Sequence, residues 1–147
     1  MKLDIECVRE VLLYLENNLI YDNESYSYEH LTITMTKVIE DITNQKGLDK
    51  NLLAYAIEKM CEVHIIEADI HKGAHHNILS CNIYDISFYG HQFLENIRPE
   101  SIWEKTKGIA ASIGNHSLKF IEDTAQKCAV TATATMVNSL SNSIKGQ

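Results

Sequence analysis

Between His64 and Phe88 two runs of alternating, β-branched character, HIIEADI and ILSCNIYDISF, flank the turn-prone segment HKGAHHN. A period of two sends apolar side chains to one face, so each run suits a half-buried strand. The Gly, Asn and His residues between them suit the reversal of a hairpin. A two-stranded hairpin alone is marginal in water and must bury its apolar face on something else. The elements that precede it therefore decide the fold.

Upstream the apolar period changes to three and four. Leu3, Cys7, Val11 and Leu15 recur every four residues, and Val8, Leu12 and Leu13 widen the stripe. Glu6, Arg9, Glu10 and Glu16 fall largely outside it, so the spacing predicts an amphipathic helix over 3–17. Asn17-Asn18 and YDNESYSYEH break the pattern and predict a polar, tyrosine-bearing loop. HLTIT, 30–34, reads as a short strand. A second helix is expected from Met35 to about Gln45, burying Val38 and Ile42 and closed by Gly47. Asp49 is a good N-cap for a third, 49–63, in which Leu52, Leu53, Ala56, Met60 and Val63 recur at three- and four-residue steps. Helix, strand, helix, helix, strand, loop, strand is the order of a winged helix-turn-helix.

Downstream, Ser87 caps a fourth helix carrying Phe93, Leu94 and Ile97. Pro99 ends it and starts the next, which continues through Ile102, Trp103, Thr106 and Ile109 to Gly114. A last helix is expected from about Ser117 to Ser141, with Leu118, Ile121, Ala125, Cys128, Ala132, Met136 and Leu140 as its inward stripe. A helix that long needs a partner for its stripe. It either folds back on the winged core or pairs with another copy; pairing is favoured, with Leu118, Ile121, Ala125, Ala132, Met136 and Leu140 expected to form a homodimer contact. The expected fold is α+β: a winged helix-turn-helix core over 1–97 and a C-terminal helical extension over 98–147.

The segment ISFYGHQFLENIRPESIWEKTK resembles the signature of the family known as domain of unknown function 2513, in Ile86-Ser87, Gly90-His91, Phe93-Leu94, Ile97-Arg98, Trp103, Lys105 and Lys107. The opening MKLDIECVREVLLYLE is similar to that family's first helix, and NLLAYAIEKMCEVHIIEAD sits where the family turns from helix to wing. The resemblance covers about residues 1–120. Where the family usually has glycine before the wing strand, this chain has Val63-His64, and its tyrosine-rich loop is expanded. The resemblance implies a winged-helix-like fold and a phage or prophage setting, and it supplies no activity.

Charge bears on the function such a fold suggests. The chain carries −7, and residues 1–97, with seven basic and sixteen acidic groups, carry −9. Residues 98–147, with six basic and four acidic groups, carry +2. A winged helix that reads DNA presents cations to phosphate. The helix 49–63 offers Asn51, Tyr55 and Lys59 against Asp49, Glu58 and Glu62, with Lys72 and His75 on the wing. Nucleic acid is disfavoured and a protein partner favoured. Tyr21, Tyr26 and Tyr28 add a patch of large contact area at low entropy cost. The alternative is a dimeric DNA-binding transcriptional regulator reading through Asn51, Tyr55 and Lys59 with wing contacts from Lys72 and His75.

Other chemistry is sparse. Cys61, His64, His71, His75, His76 and Cys81 fall within 21 residues, and Cys61, His64, His75 and His76 are the candidate zinc ligands among them, but no standard zinc spacing occurs. No metal or cofactor is expected. His91 follows Gly90 with no nucleophile or carboxylate placed beside it by the sequence. There is no Gly-rich phosphate loop and no Ser-His-Asp pattern, so an enzyme is not expected. Cys7, Cys61, Cys81 and Cys128 are scattered, as reduced thiols of a cytoplasmic protein would be. No signal peptide or membrane-spanning stretch is expected.

Overall fold

Side-chain caps set most of the helix limits in the computed structural model, which describes residues 1–22 and 29–146. Asp4 accepts from the backbone N–H groups of Glu6 and Cys7 at 2.8 and 3.2 Å and starts α1, Ile5–Asn18. Thr34 caps α2, Met35–Lys46, which ends on Gly47 in the left-handed region at φ 71. Asp49 accepts from Asn51 and Leu52 N–H and starts α3, Lys50–Glu62. The described residues divide into two compact units, Met1–Leu94 and Glu95–Gln147, and the division falls inside α4, Phe88–Ile97.

The first unit is α+β. Its strands are β1, Ile20–Asp22; β2, Glu29–Leu31; β3, Ile33–Thr34; β4, Ile66–Lys72; and β5, Ile78–Ile86. β3, β5 and β4 form one antiparallel sheet in that order, and β1 pairs with β2 separately. The long hairpin expected from the alternating runs is β4–β5. Helices α1, α2 and α3 pack on one another and contribute Val8, Val11, Leu12, Leu15, Val38, Ile42, Leu53, Ile57 and Met60 to a core that also holds Ile66 and Ile83.

The structure departs from the sequence reading at three places. Arg9 and Glu10, expected outside the buried stripe, are 5% and 9% exposed. Glu10 is bracketed by Arg9 and Lys46, each at 3.5 Å, which offsets much of the cost of taking its carboxylate out of water. The tyrosine-bearing segment is not a simple loop, because its ends pair as Ile20↔Leu31, Tyr21↔His30 and Asp22↔Glu29. The expected strand 30–34 is split between two sheets, its first half in β2 and its second in β3.

The third departure is a β-bulge. Glu67 pairs with Asp85 and Ala68 with Ile83, so Tyr84 is an extra residue in β5. Burial follows the same phase change: Cys81 and Ile83 are buried two apart, and the next buried residue is Ile86.

In the second unit Pro99 precedes α5, Glu100–Ile113, which ends on Gly114 at φ 76. Ser117 accepts from Phe120 N–H at 3.2 Å and starts α6, Leu118–Lys145. α5 packs against α6, with Ile102, Trp103, Thr106 and Ala110 buried on one and Ile121, Thr124 and Ala125 on the other. Among the described residues no helix is long and apolar enough to cross a membrane.

Candidate functional site

A cleft of about 400 Å³ opens in the first unit where four elements meet. α1 supplies Leu15 and Glu16 from its last turn, and Leu19, Ile20 and Tyr21 follow on the way into β1. The end of β5 supplies Tyr84, Asp85 and Ile86, and α4 supplies His91. The floor is apolar, while two carboxylates, two phenols and an imidazole stand around it.

The bulge accounts for the crowding of β5 residues. In a regular strand Tyr84 and Asp85 would point to opposite faces. The extra residue breaks that alternation and lets both reach one cleft. Burial lifts the Tyr84 phenol above its ordinary pKa, and the carboxylates Glu67, Asp69 and Asp85 push it the same way. The carboxylate contribution, smaller than that of burial, has the sign that favours a cation nearby. Among the described residues no lysine or arginine pairs with Asp85.

His91 reaches the cleft because α4 lies very close to the turn after α3. A Cβ on Gly90 would stand 2.1 Å from the Ile65 carbonyl oxygen and 2.8 Å from Ile86 Cγ2. Only glycine admits that approach. Ser87 fixes it further: its N–H donates to the Ile65 carbonyl at 3.1 Å, and its hydroxyl accepts from Gly90 N–H at 2.9 Å. His91 thus lines the same cleft as Glu16 and Asp85, a grouping the linear sequence does not display.

Of the residues expected to meet a partner, Tyr21 lines the cleft and is 59% exposed. Tyr26 and Tyr28 lie outside the described residues. Asn51, Tyr55 and Lys59 follow one another along α3, and Lys72 and His75 lie on or beyond β4. Both lysines are engaged. Lys59 donates to the two Glu62 oxygens at 2.7 and 2.9 Å, stands 5.3 Å from the Tyr55 ring centroid, and is held above its ordinary pKa chiefly by Glu62. Lys72 donates to Glu58 at 2.7 Å. At the start of α3, where a phosphate would seek free N–H groups, the Asp49 carboxylate already accepts from two of them.

The Cys/His residues are not assembled. Cys61 is in the last turn of α3, hydrogen-bonded to Cys81 on β5, which raises its thiol pKa, with burial adding to the effect. His64 occupies the following turn at φ 54, its Nδ1 3.5 Å from Glu67. His75 and His76 sit beyond the far end of β4, a strand of seven residues, and so about 20 Å along from His64. Among the described residues no three His, Cys, Asp or Glu side chains are grouped as a metal ion would need.

No curated protein and no solved structure matches the chain. A family model described as Hypothetical protein (DUF2513) matches residues 2–117. That span runs from just before α1 to the N-cap of α6 and takes in every element around the cleft, leaving α6 beyond it. By this match over most of its length, the chain belongs to the DUF2513 family.

Proposed function

We propose that the chain is a non-enzymatic interaction protein whose first unit, a winged helix by its element order, binds a protein partner through the cleft of Glu16, Tyr21, Tyr84, Asp85 and His91. The partner contributes an apolar side chain beside a lysine or arginine. The observation that carries this reading is the bulge at Tyr84, which brings a phenol and the Asp85 carboxylate, with which no described lysine or arginine pairs, into one cleft with apolar lining. Leu15, Leu19, Ile20 and Ile86 supply apolar contact, the tyrosines supply area at low entropy cost, and the carboxylates select the cation. In the phage or prophage setting that the family resemblance implies, the protein acts in the cytoplasm and its partner is a host or defence factor.

The second reading is a dimeric DNA-binding regulator, favoured by the sequence of α2, a three-residue turn and α3, with Asn51 exposed near the start of α3. Against it stand the pairs Lys59–Glu62 and Lys72–Glu58 and the carboxylate on the N-terminus of α3. Breaking those pairs to reach phosphate costs interaction energy that a basic winged helix never loses.

Capture from host lysate with the wild-type chain and with Glu16→Lys/Asp85→Lys tests the first reading. The expected result is a protein retained by the former and lost by the latter. A salt-dependent shift of duplex DNA from the chain's own operon, with capture unaffected by the cleft change, supports the regulator instead.

A further inference from the structure

The second half of α6 has no cover within its own unit. α5 has 14 residues and α6 has 28, or about 21 and 42 Å at 1.5 Å per residue, so α5 flanks no more than half of it. The buried residues of α6 end at Ala125. Beyond that point Val130, Val137, Leu140 and Ile144 are 69%, 54%, 62% and 74% exposed.

Their spacing is that of a coiled-coil seam. Val130, Val137 and Ile144 recur every seven residues, and Leu140 stands three after Val137, with Thr133 in the matching place one heptad earlier. These are a and d positions, and β-branched residues at a with leucine at d favour two parallel strands. Of the stripe expected from sequence, Ile121 and Ala125 are already buried in the unit and Ala132 stands at a c position away from the seam, while Leu140 lies in the seam and Met136 beside it at g.

Two further features decide what covers the seam. No charged residue occurs from Cys128 to Ile144, so the surface offers nothing to recognise a charged partner, and a second copy meets it without like-charge repulsion. The hydroxyls of Thr131, Thr133, Thr135 and Ser143 already donate to the carbonyls four residues earlier, at 2.9–3.0 Å. Burying these side chains leaves no hydroxyl donor unpaired.

We infer that residues 130–144 of α6 form a parallel two-stranded coiled coil with a second copy of the chain, with Val130, Val137 and Ile144 at a and Leu140 at d. The inference is independent of the cleft. A seam of two heptads is smaller than a standard interface, so the dimer dissociates at roughly micromolar concentrations.

Sedimentation of the full chain from about 1 to 200 µM tests it. The wild type is expected to move from 16.7 kDa towards twice that mass as concentration rises. Val137→Asp/Leu140→Asp is expected to stay at 16.7 kDa throughout with an unchanged far-UV spectrum, since both side chains are exposed. Asn138→Asp, which adds charge off the seam, and Ala132→Asp, on the other face, should dimerise as the wild type does. In oxidised glutathione, Val137→Cys should give a disulfide-linked dimer by exchange, releasing reduced glutathione, while Asn138→Cys should not. A wild type monomeric at 200 µM, or a dimer that survives the double aspartate change, overturns the inference. A dimer in which Val137→Cys fails to cross-link overturns its parallel register.

Discussion

Gly90→Ala is the substitution for which two physical effects predict opposite signs. Gly90 lies in the first turn of α4, where alanine gains about 1 kcal/mol of intrinsic helix propensity over glycine. Against this, the added Cβ would stand 2.1 Å from the Ile65 carbonyl oxygen and 2.8 Å from Ile86 Cγ2. The first partner is backbone and cannot rotate away, so α4 must retreat by roughly 1 Å to reach an ordinary contact. Retreat stretches the 3.1 Å bond from Ser87 N–H to the same carbonyl, and with it the Ser87 hydroxyl contact there, at about 1 kcal/mol each. Overpacking adds about 1–3 kcal/mol. The balance is a net loss of about 2–4 kcal/mol. Urea unfolding followed by far-UV circular dichroism should show the midpoint lowered by about 1–2 M, taking a slope near 2 kcal/mol per M. A Gly90→Ala chain as stable as the wild type, or more so, would refute the close approach of α4 to Ile65 and with it the placement of His91.

Other expectations follow from the same geometry. His64 holds φ 54, a region costly for a residue with a Cβ, and its contact with Glu67 is exposed. His64→Gly should therefore stabilise the chain by about 0.5–1 kcal/mol, raising the melting temperature by roughly 2–4 °C. Burial, with help from Asp4, pushes the Cys7 thiol up to about 12 from an ordinary value of 9.0. The folded state thus keeps a proton that the unfolded chain gives up, so stability is fully present below pH 9 and falls as pH rises from there towards 12, by about 1.4 kcal/mol per pH unit. Tyr14, raised to about 12 by burial and by its 2.6 Å bond to Asp41, titrates in the same direction. Denaturant midpoints measured from pH 8 to 11 should fall steadily, and Cys7→Ala should flatten the decline.

The elements easiest to read from sequence were those with a local chemical marker. Asp49 and Ser117 stand where a carboxylate or hydroxyl meets orphan N–H groups, Gly47 and Gly114 where the chain turns left-handed, and Ser87 where α4 begins. The strands β4 and β5 were legible from alternation. Features set by tertiary context were not. Arg9 and Glu10 read as solvent-facing because a helix-wheel argument does not register Lys46, which comes from another helix. The bulge at Tyr84 leaves no mark in an alternating run, since Tyr84 and Asp85 are both acceptable on a half-buried strand. The cleft draws on residues from 15 to 91, and no spacing rule joins Glu16 to His91. In α6 the apolar period is visible, but which side of the helix is spent within the unit depends on how far α5 reaches along it. His64 is another such case: nothing in the local sequence announces its left-handed φ of 54, which would suit glycine better.

Protein recognition by an acidic cleft is tested most directly by a charge-swap measurement on the purified partner. Its affinity would be determined by calorimetry for the wild-type chain and for Glu16→Lys/Asp85→Lys, then repeated with the partner's contacting lysine or arginine changed to glutamate. The cleft predicts a loss of about 10- to 100-fold for either change alone and substantial recovery when the two are combined, because opposite charges again face each other. Equal affinity for the wild type and the cleft variant would contradict it, as would tight duplex-DNA binding by the wild type with a steep salt dependence.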